Sequence, residues 1–130
     1  MIALDTNVLV RYLVQDDHRQ SQQARELLET LNAERLGFVS REVVLELAWV
    51  LSGAYGFSRD EVGRTLEELV GSEELRVEAA ADVVRAANSL RKTSAEFSDL
   101  MILAASARCG AEAVYTFDRK FARLSGVEAL

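Results

Sequence analysis

The sequence has 130 residues, of which 49% are hydrophobic and 28% charged, with a net charge of −6 and a single cysteine. That is the length of one domain, over residues 1–130, with enough apolar side chains to build a core unaided. The charge argues against a chain that grips nucleic acid through a general positive field, and one cysteine excludes an internal disulfide or a zinc or iron–sulfur ligand set.

Met1–Leu4 is uncharged and reads as a buried strand, with Asp5 immediately behind it. "TNVLVRYLV" then places Val8, Leu9, Tyr12 and Leu13 on one helical face, so a short helix follows the aspartate directly. Asp17 with Gln20 makes a capping-box pattern for a second helix, with Ala24, Leu27, Leu28 and Leu31 on its apolar stripe. "GFVS" reads as a short strand. Ser40 caps "REVVLELAWVLSGAYG", which is apolar nearly all round, expected to be largely buried, and ended by Gly53 or Gly56.

Ser58 with Glu61 opens the next helix, "LRVE" reads as a strand, and Ala79 to Leu90 is amphipathic. Thr93 with Glu96 is a third capping-box pattern, ahead of "AEFSDLMILAASARCG". "AVYTF" reads as a strand, "DRKFARL" as a short helix and "VEAL" as an edge strand. Short apolar strands alternating with helices predict an α/β fold, a parallel sheet covered on both faces by helices. No apolar run approaches the roughly 20 residues of a bilayer span and no signal peptide opens the chain, so a cytoplasmic location is expected, and Cys109 is expected to be a small buried hydrophobe.

In a parallel sheet the strands end at one rim, where ligands bind. Asp5 and Asp118 each follow a strand and fall at that rim, either as helix caps or as ligands. Glu42 suits the first turn of its helix and Glu96 completes a capping box, but Glu46 and Asp99 each stand six residues past their expected caps, Ser40 and Thr93. Capping accounts for neither, which leaves an arginine partner, a solvated face, or a shared site. Four converging carboxylates repel, each pair by about 1 kcal/mol at 4 Å in bulk water and about 4 kcal/mol at an effective dielectric of 20. A hard divalent cation, Mg²⁺ or Mn²⁺, would offset this, and such a site is suited to phosphodiester hydrolysis.

"LDTNVLVRYL", "VVLELAWVL", "FSDLMILAASA" and "VYTFDRKFARLSGV", taken together and in this order, resemble the four acidic motifs of PIN-domain ribonucleases, particularly the VapC type of bacterial toxin. The resemblance covers nearly the whole chain. It implies a three-layer α/β/α fold with a short central parallel sheet and a Mg²⁺- or Mn²⁺-dependent endoribonuclease. It assigns metal and water coordination to Asp5, Glu46, Asp99 and Asp118, with Thr6, Asn7 and Thr116 in support. It also implies an RNA substrate, a homodimer and a cognate antitoxin protein as partners.

Tyr12, Trp49 and Tyr55 belong either to such an interface or to the core. Arg11, Arg41, Arg119 and Lys120 either contact RNA backbone or form a solvated face, and His18, a lone histidine, is expected at the surface. Two other classes compete with the enzyme. One is a catalytically inactive PIN-like domain that binds protein or RNA. The other is a phosphoacceptor domain, which would need paired acids after the first strand where this chain has one.

Overall fold

The strands are only two or three residues long, and their parallel pairing sets the architecture. In the computed structural model, which describes residues 1–130, β1 (Ile2–Ala3) is followed by α1 (Thr6–Val14) and α2 (His18–Glu29). Next come β2 (Gly37–Val39), α3 (Arg41–Gly53), α4 (Arg59–Gly71), β3 (Leu75–Val77), α5 (Ala80–Lys92) and α6 (Phe97–Arg108). The chain closes with β4 (Val114–Thr116), a 3-10 turn (Phe121–Arg123) and β5 (Val127–Ala129). This is the three-layer α/β/α arrangement that the alternation predicts.

Strand β2 lies between β1 and β3, all parallel, with Ile2 opposite Gly37 and Val39 opposite Val77. Gly37 is required there, because a Cβ would meet Leu31 Cδ1 at 2.8 Å and the methyls of Leu4 and Leu75 at 3.0 Å. Strands β4 and β5 pair in parallel with each other, Val114 opposite Val127, as a separate two-stranded sheet. The single sheet expected from the sequence is thus divided. Leu9, Val39, Leu47, Leu51, Leu66, Val83 and Met101 are completely enclosed, so α1, β2, α3, α4, α5 and α6 share one core. Each such side chain contributes roughly 1.5–3 kcal/mol on leaving water.

Three helix starts follow the local rules. Asp17 accepts the Gln20 N–H at 2.9 Å, although the Gln20 side chain accepts from Arg11 instead of closing a box. Ser40 Oγ accepts the Val43 N–H at 3.2 Å, and Ser58 with Glu61 forms a complete capping box. The fourth start differs from expectation. Thr93 ends α5, its hydroxyl donating to the Ser89 carbonyl at 3.0 Å, and α6 begins only at Phe97 with Glu96 at the cap position. The Thr93–Glu96 pattern is therefore not a capping box, since the connection to α6 runs extended over the core.

Two burial expectations also fail. Helix α3 buries Val44, Leu47, Ala48 and Leu51 but keeps a wet stripe of Glu42, Glu46, Trp49 and Gly53, spaced one turn apart, on which Trp49 is 76% exposed. Cys109 is exposed because it sits at the C-terminal cap of α6, past the last residues that reach the core. No helix is long and apolar enough to cross a membrane.

Candidate functional site

Parallel register carries β1, β2 and β3 to the same rim, where α1 and α3 begin at Asp5 and Ser40 and the chain turns through Glu78 into α5. Glu78 accepts the backbone N–H of Arg41 at 2.9 Å, tying two of these corners together. Asp5 caps α1, one carboxylate oxygen accepting the Thr6 N–H at 2.8 Å. Asp118 does the same for the turn after β4, one oxygen accepting from Lys120 N–H at 2.8 Å and Phe121 N–H at 3.1 Å. Thr116 Oγ1 accepts the Asp118 N–H at 3.0 Å, so the hydroxyl fixes the backbone that carries the acid. Each aspartate thus serves as a cap while leaving a second oxygen without a protein partner.

Glu46 stands six residues into α3 on its wet stripe. Asp99 does not share that offset. With α6 beginning at Phe97, Asp99 lies in the first turn, where the helix N-terminus favours a negative charge. Neither carboxylate accepts a hydrogen bond from the protein; the bonds that reach the four acids are those to Asp5 and Asp118.

Asp99 is half-buried, and its carboxyl is held above the usual aspartate range, first by loss of hydration and then by the charges of Asp118 and Glu96. Asp99, Asp118 and Glu96 are therefore electrostatic neighbours, joining the start of α6 to the end of β4. No cationic side chain relieves them. The five ion pairs of the chain all lie elsewhere, on Asp16, Asp60, Glu67 and Asp82. An uncompensated pair of carboxylates suits Mg²⁺ or Mn²⁺, which takes oxygen donors and commonly binds through one or two protein carboxylates, with water and substrate phosphate completing its shell. No three acidic, histidine or cysteine side chains are gathered closely enough to form a metal-holding group. The pair, not a closed cage, is what the fold presents.

Asp5 and Glu46 belong to α1 and α3, which are linked to α6 by helix packing. Helix α1 packs on α3, and α3 on α6. Residues Leu45, Ala48 and Trp49 line one wall of a cleft whose other wall is Glu96, Phe97 and Ser98, immediately before Asp99. Of the supporting residues, Thr6 is buried beneath the Asp5 cap, Asn7 is exposed and Thr116 braces Asp118.

The basic and aromatic residues divide. Arg11 is committed to a structural network, pairing with Asp16 at 3.0 Å and donating to the Gln20 side chain at 2.6 Å and the Tyr55 hydroxyl at 3.3 Å. Tyr55 in turn donates to Asp16 at 2.7 Å, so neither Arg11 nor Tyr55 is free for a partner. That bond, with the Arg11 charge, keeps the Asp16 carboxyl below the usual range. Tyr12, 39% exposed, Arg119, Lys120 and His18 all face solvent, and Arg41 does so in part.

Sequence reasoning missed Arg59. Its guanidinium donates to the backbone carbonyls of Leu90, Thr93 and Ala95 at 3.0, 3.0 and 2.5 Å, holding the extended connection that leads into α6 and Asp99. Nothing in the sequence marks it, since its partners are main-chain atoms. It also discounted Glu96, which the Thr93 pattern made look like a cap.

Compared with known proteins, residues 2–127 match the family model of the PIN domain. The chain is 27% identical over 126 residues to a VapC ribonuclease of Aquifex aeolicus (strain VF5), covering 95% of this chain and 92% of that protein.

Proposed function

The chain belongs to the PIN domain family, and on that footing we propose that it is a divalent-metal-dependent endoribonuclease, the toxin of a toxin–antitoxin pair, acting as one domain. The observation that carries the reading is the cation-free acidic neighbourhood of Asp99, Asp118 and Glu96 at the start of α6. The likeness to a VapC ribonuclease supports RNA as substrate and an antitoxin protein as partner; a homodimer is the assembled form we propose.

Asp99 and Asp118 would hold Mg²⁺ or Mn²⁺, with Asp5 and Glu46 coordinating through bound water. The ion would supply an activated water at neutral pH and neutralise charge on the phosphoryl oxygens. The protein supplies position. Asp5 and Asp118 are fixed by the backbone N–H groups they accept, Thr116 holds the turn beneath Asp118, and Thr6 and Asn7 flank Asp5 with polar groups able to bond a carboxylate, a water or a phosphate. No covalent protein intermediate is needed, and the lone, exposed His18 offers no triad.

The test is incubation of the purified, partner-free chain with a panel of structured RNAs, with Mn²⁺ and then with excess chelator. Cleavage that appears with the metal, stops with chelator and is lost in Asp5→Asn and Asp99→Asn supports the reading. Cleavage by either variant that persists in chelator would overturn the site. Absence of cleavage together with unimpaired RNA or protein binding by the variants would leave the non-catalytic regulatory domain as the answer.

A further inference from the structure

Trp49 stands out on a helix that otherwise gives its large apolar side chains to the core. It is the one tryptophan of the chain and 76% exposed, three residues beyond Glu46 on the same wet stripe of α3. Leaving an indole in water forgoes one of the largest gains any side chain offers to folding. Beside it opens a cleft of about 260 Å³, with Leu45, Ala48 and Trp49 on one wall and Glu96, Phe97 and Ser98 on the other. Glu96 is one of the two acids, with Asp118, whose charge reaches Asp99. The cleft thus shares Glu96, the cap residue of α6, with the surroundings of Asp99, and its Trp49 follows Glu46 on the exposed stripe of α3.

We propose that this cleft is a nucleobase subsite, in which a base next to the cleaved phosphodiester unstacks from single-stranded RNA and lies on the Trp49 indole. The inference rests on the ribonuclease reading above and adds to it the residue that holds a base of the substrate. Stacking on an exposed aromatic is open to any base, since each has a π-face. The Glu96 carboxylate, which has no cationic partner, and the Ser98 hydroxyl offer an acceptor and a donor–acceptor to the edge of that base. Charge counts against a protein face that brings no cations of its own. A protein face laid over Trp49 would also desolvate Glu42, Glu46 and Glu96, and the one cation lining the cleft, Arg59, is spent on three carbonyls. A single base covers the indole and leaves those carboxylates in water.

Because Trp49 is the sole tryptophan, its emission reports on this subsite alone. The full chain, with Ca²⁺ replacing Mg²⁺, is titrated with an oligo(A) RNA decamer and with the same decamer paired to its complement. Saturable quenching by the single strand and much weaker quenching by the duplex are expected. Trp49→Ala should weaken single-strand binding by about 5- to 150-fold and Trp49→Phe by much less, with both variants unfolding in urea at the parent midpoint. In cleavage with Mn²⁺, the KM of Trp49→Ala should rise with a smaller change in kcat.

Several results would overturn the subsite. Cleavage by the parent with neither quenching nor a change of KM in Trp49→Ala would sink it while leaving the ribonuclease reading intact. Equal quenching by the duplex would remove the single-strand preference. A concentration-dependent blue shift without RNA, lost on dilution to monomer, would assign Trp49 to contact between two copies. Absence of metal-dependent cleavage by the parent would instead remove the ribonuclease reading on which the subsite rests.

Discussion

Replacing Arg59 by methionine keeps the aliphatic stem over the core and deletes three hydrogen bonds at once. Each is a charge-assisted bond to a carbonyl, at 2.5 to 3.0 Å, and hydrogen bonds to charged groups contribute about 1.5–3 kcal/mol apiece. Arg59 is partly exposed, so water screens the guanidinium and the lower figure applies. The three bonds also share one side chain and are not additive, which brings the expected loss to about 3 kcal/mol. Against a total stability of about 5–15 kcal/mol, that is a large fraction.

The assay is equilibrium urea unfolding followed by far-UV circular dichroism, with the midpoint expected to fall and the m-value unchanged. Arg59→Lys should recover only a minority of the loss, because an ammonium cannot present a planar fork to three carbonyls. A stability for Arg59→Met within about 0.5 kcal/mol of the parent would refute the assignment, since surface substitutions lie in that range. The connection that Arg59 holds leads directly into Asp99, so Arg59→Met should also weaken Mn²⁺ binding under conditions in which it remains folded.

With chelator present, Asp99→Asn should be more stable than the parent at pH 7. The folded carboxyl binds its proton more tightly than the unfolded one, so the penalty is absent below the usual aspartate range, grows as pH rises through it, and is complete above the raised folded value. The advantage of the variant should therefore vanish in acid, and urea midpoints at pH 7 and pH 3 that differ from the parent equally would contradict it. Ala79, at the start of α5, has φ of 53° and ψ of 42°, a left-handed conformation that costs an L-residue about 1–2 kcal/mol. Ala79→Gly relieves that strain but frees the unfolded chain by about 0.4–1 kcal/mol, so thermal unfolding should show a small net gain, and a lowered Tm would refute the strain.

How much of this was legible follows from the range of the forces involved. Ser40 and the Ser58–Glu61 pair were readable because a cap is satisfied by the next three residues, whatever the rest of the chain does. The same rule misplaced the start of α6, where Arg59, more than thirty residues away, takes the Thr93 carbonyl and the Thr93 side chain closes the preceding helix instead. Asp99 consequently moved into a first turn, and the matched offsets of Glu46 and Asp99 that made them look alike disappeared. Cys109 and Trp49 were read by type as candidates for the interior, yet both face water, because burial is a property of the neighbours that arrive and not of the side chain.

The sequence by itself determined the strand–helix alternation and the parallel pairing that it requires, both of which depend on local periodicity and capping. Tertiary structure alone decided that β4 and β5 form their own sheet, that Asp99 lies within electrostatic reach of Asp118, and that one stripe of α3 stays wet. The open stripe of α3 depends on helix-on-helix packing between segments more than forty residues apart, α3 against α6, and no local pattern encodes which faces such a contact leaves open.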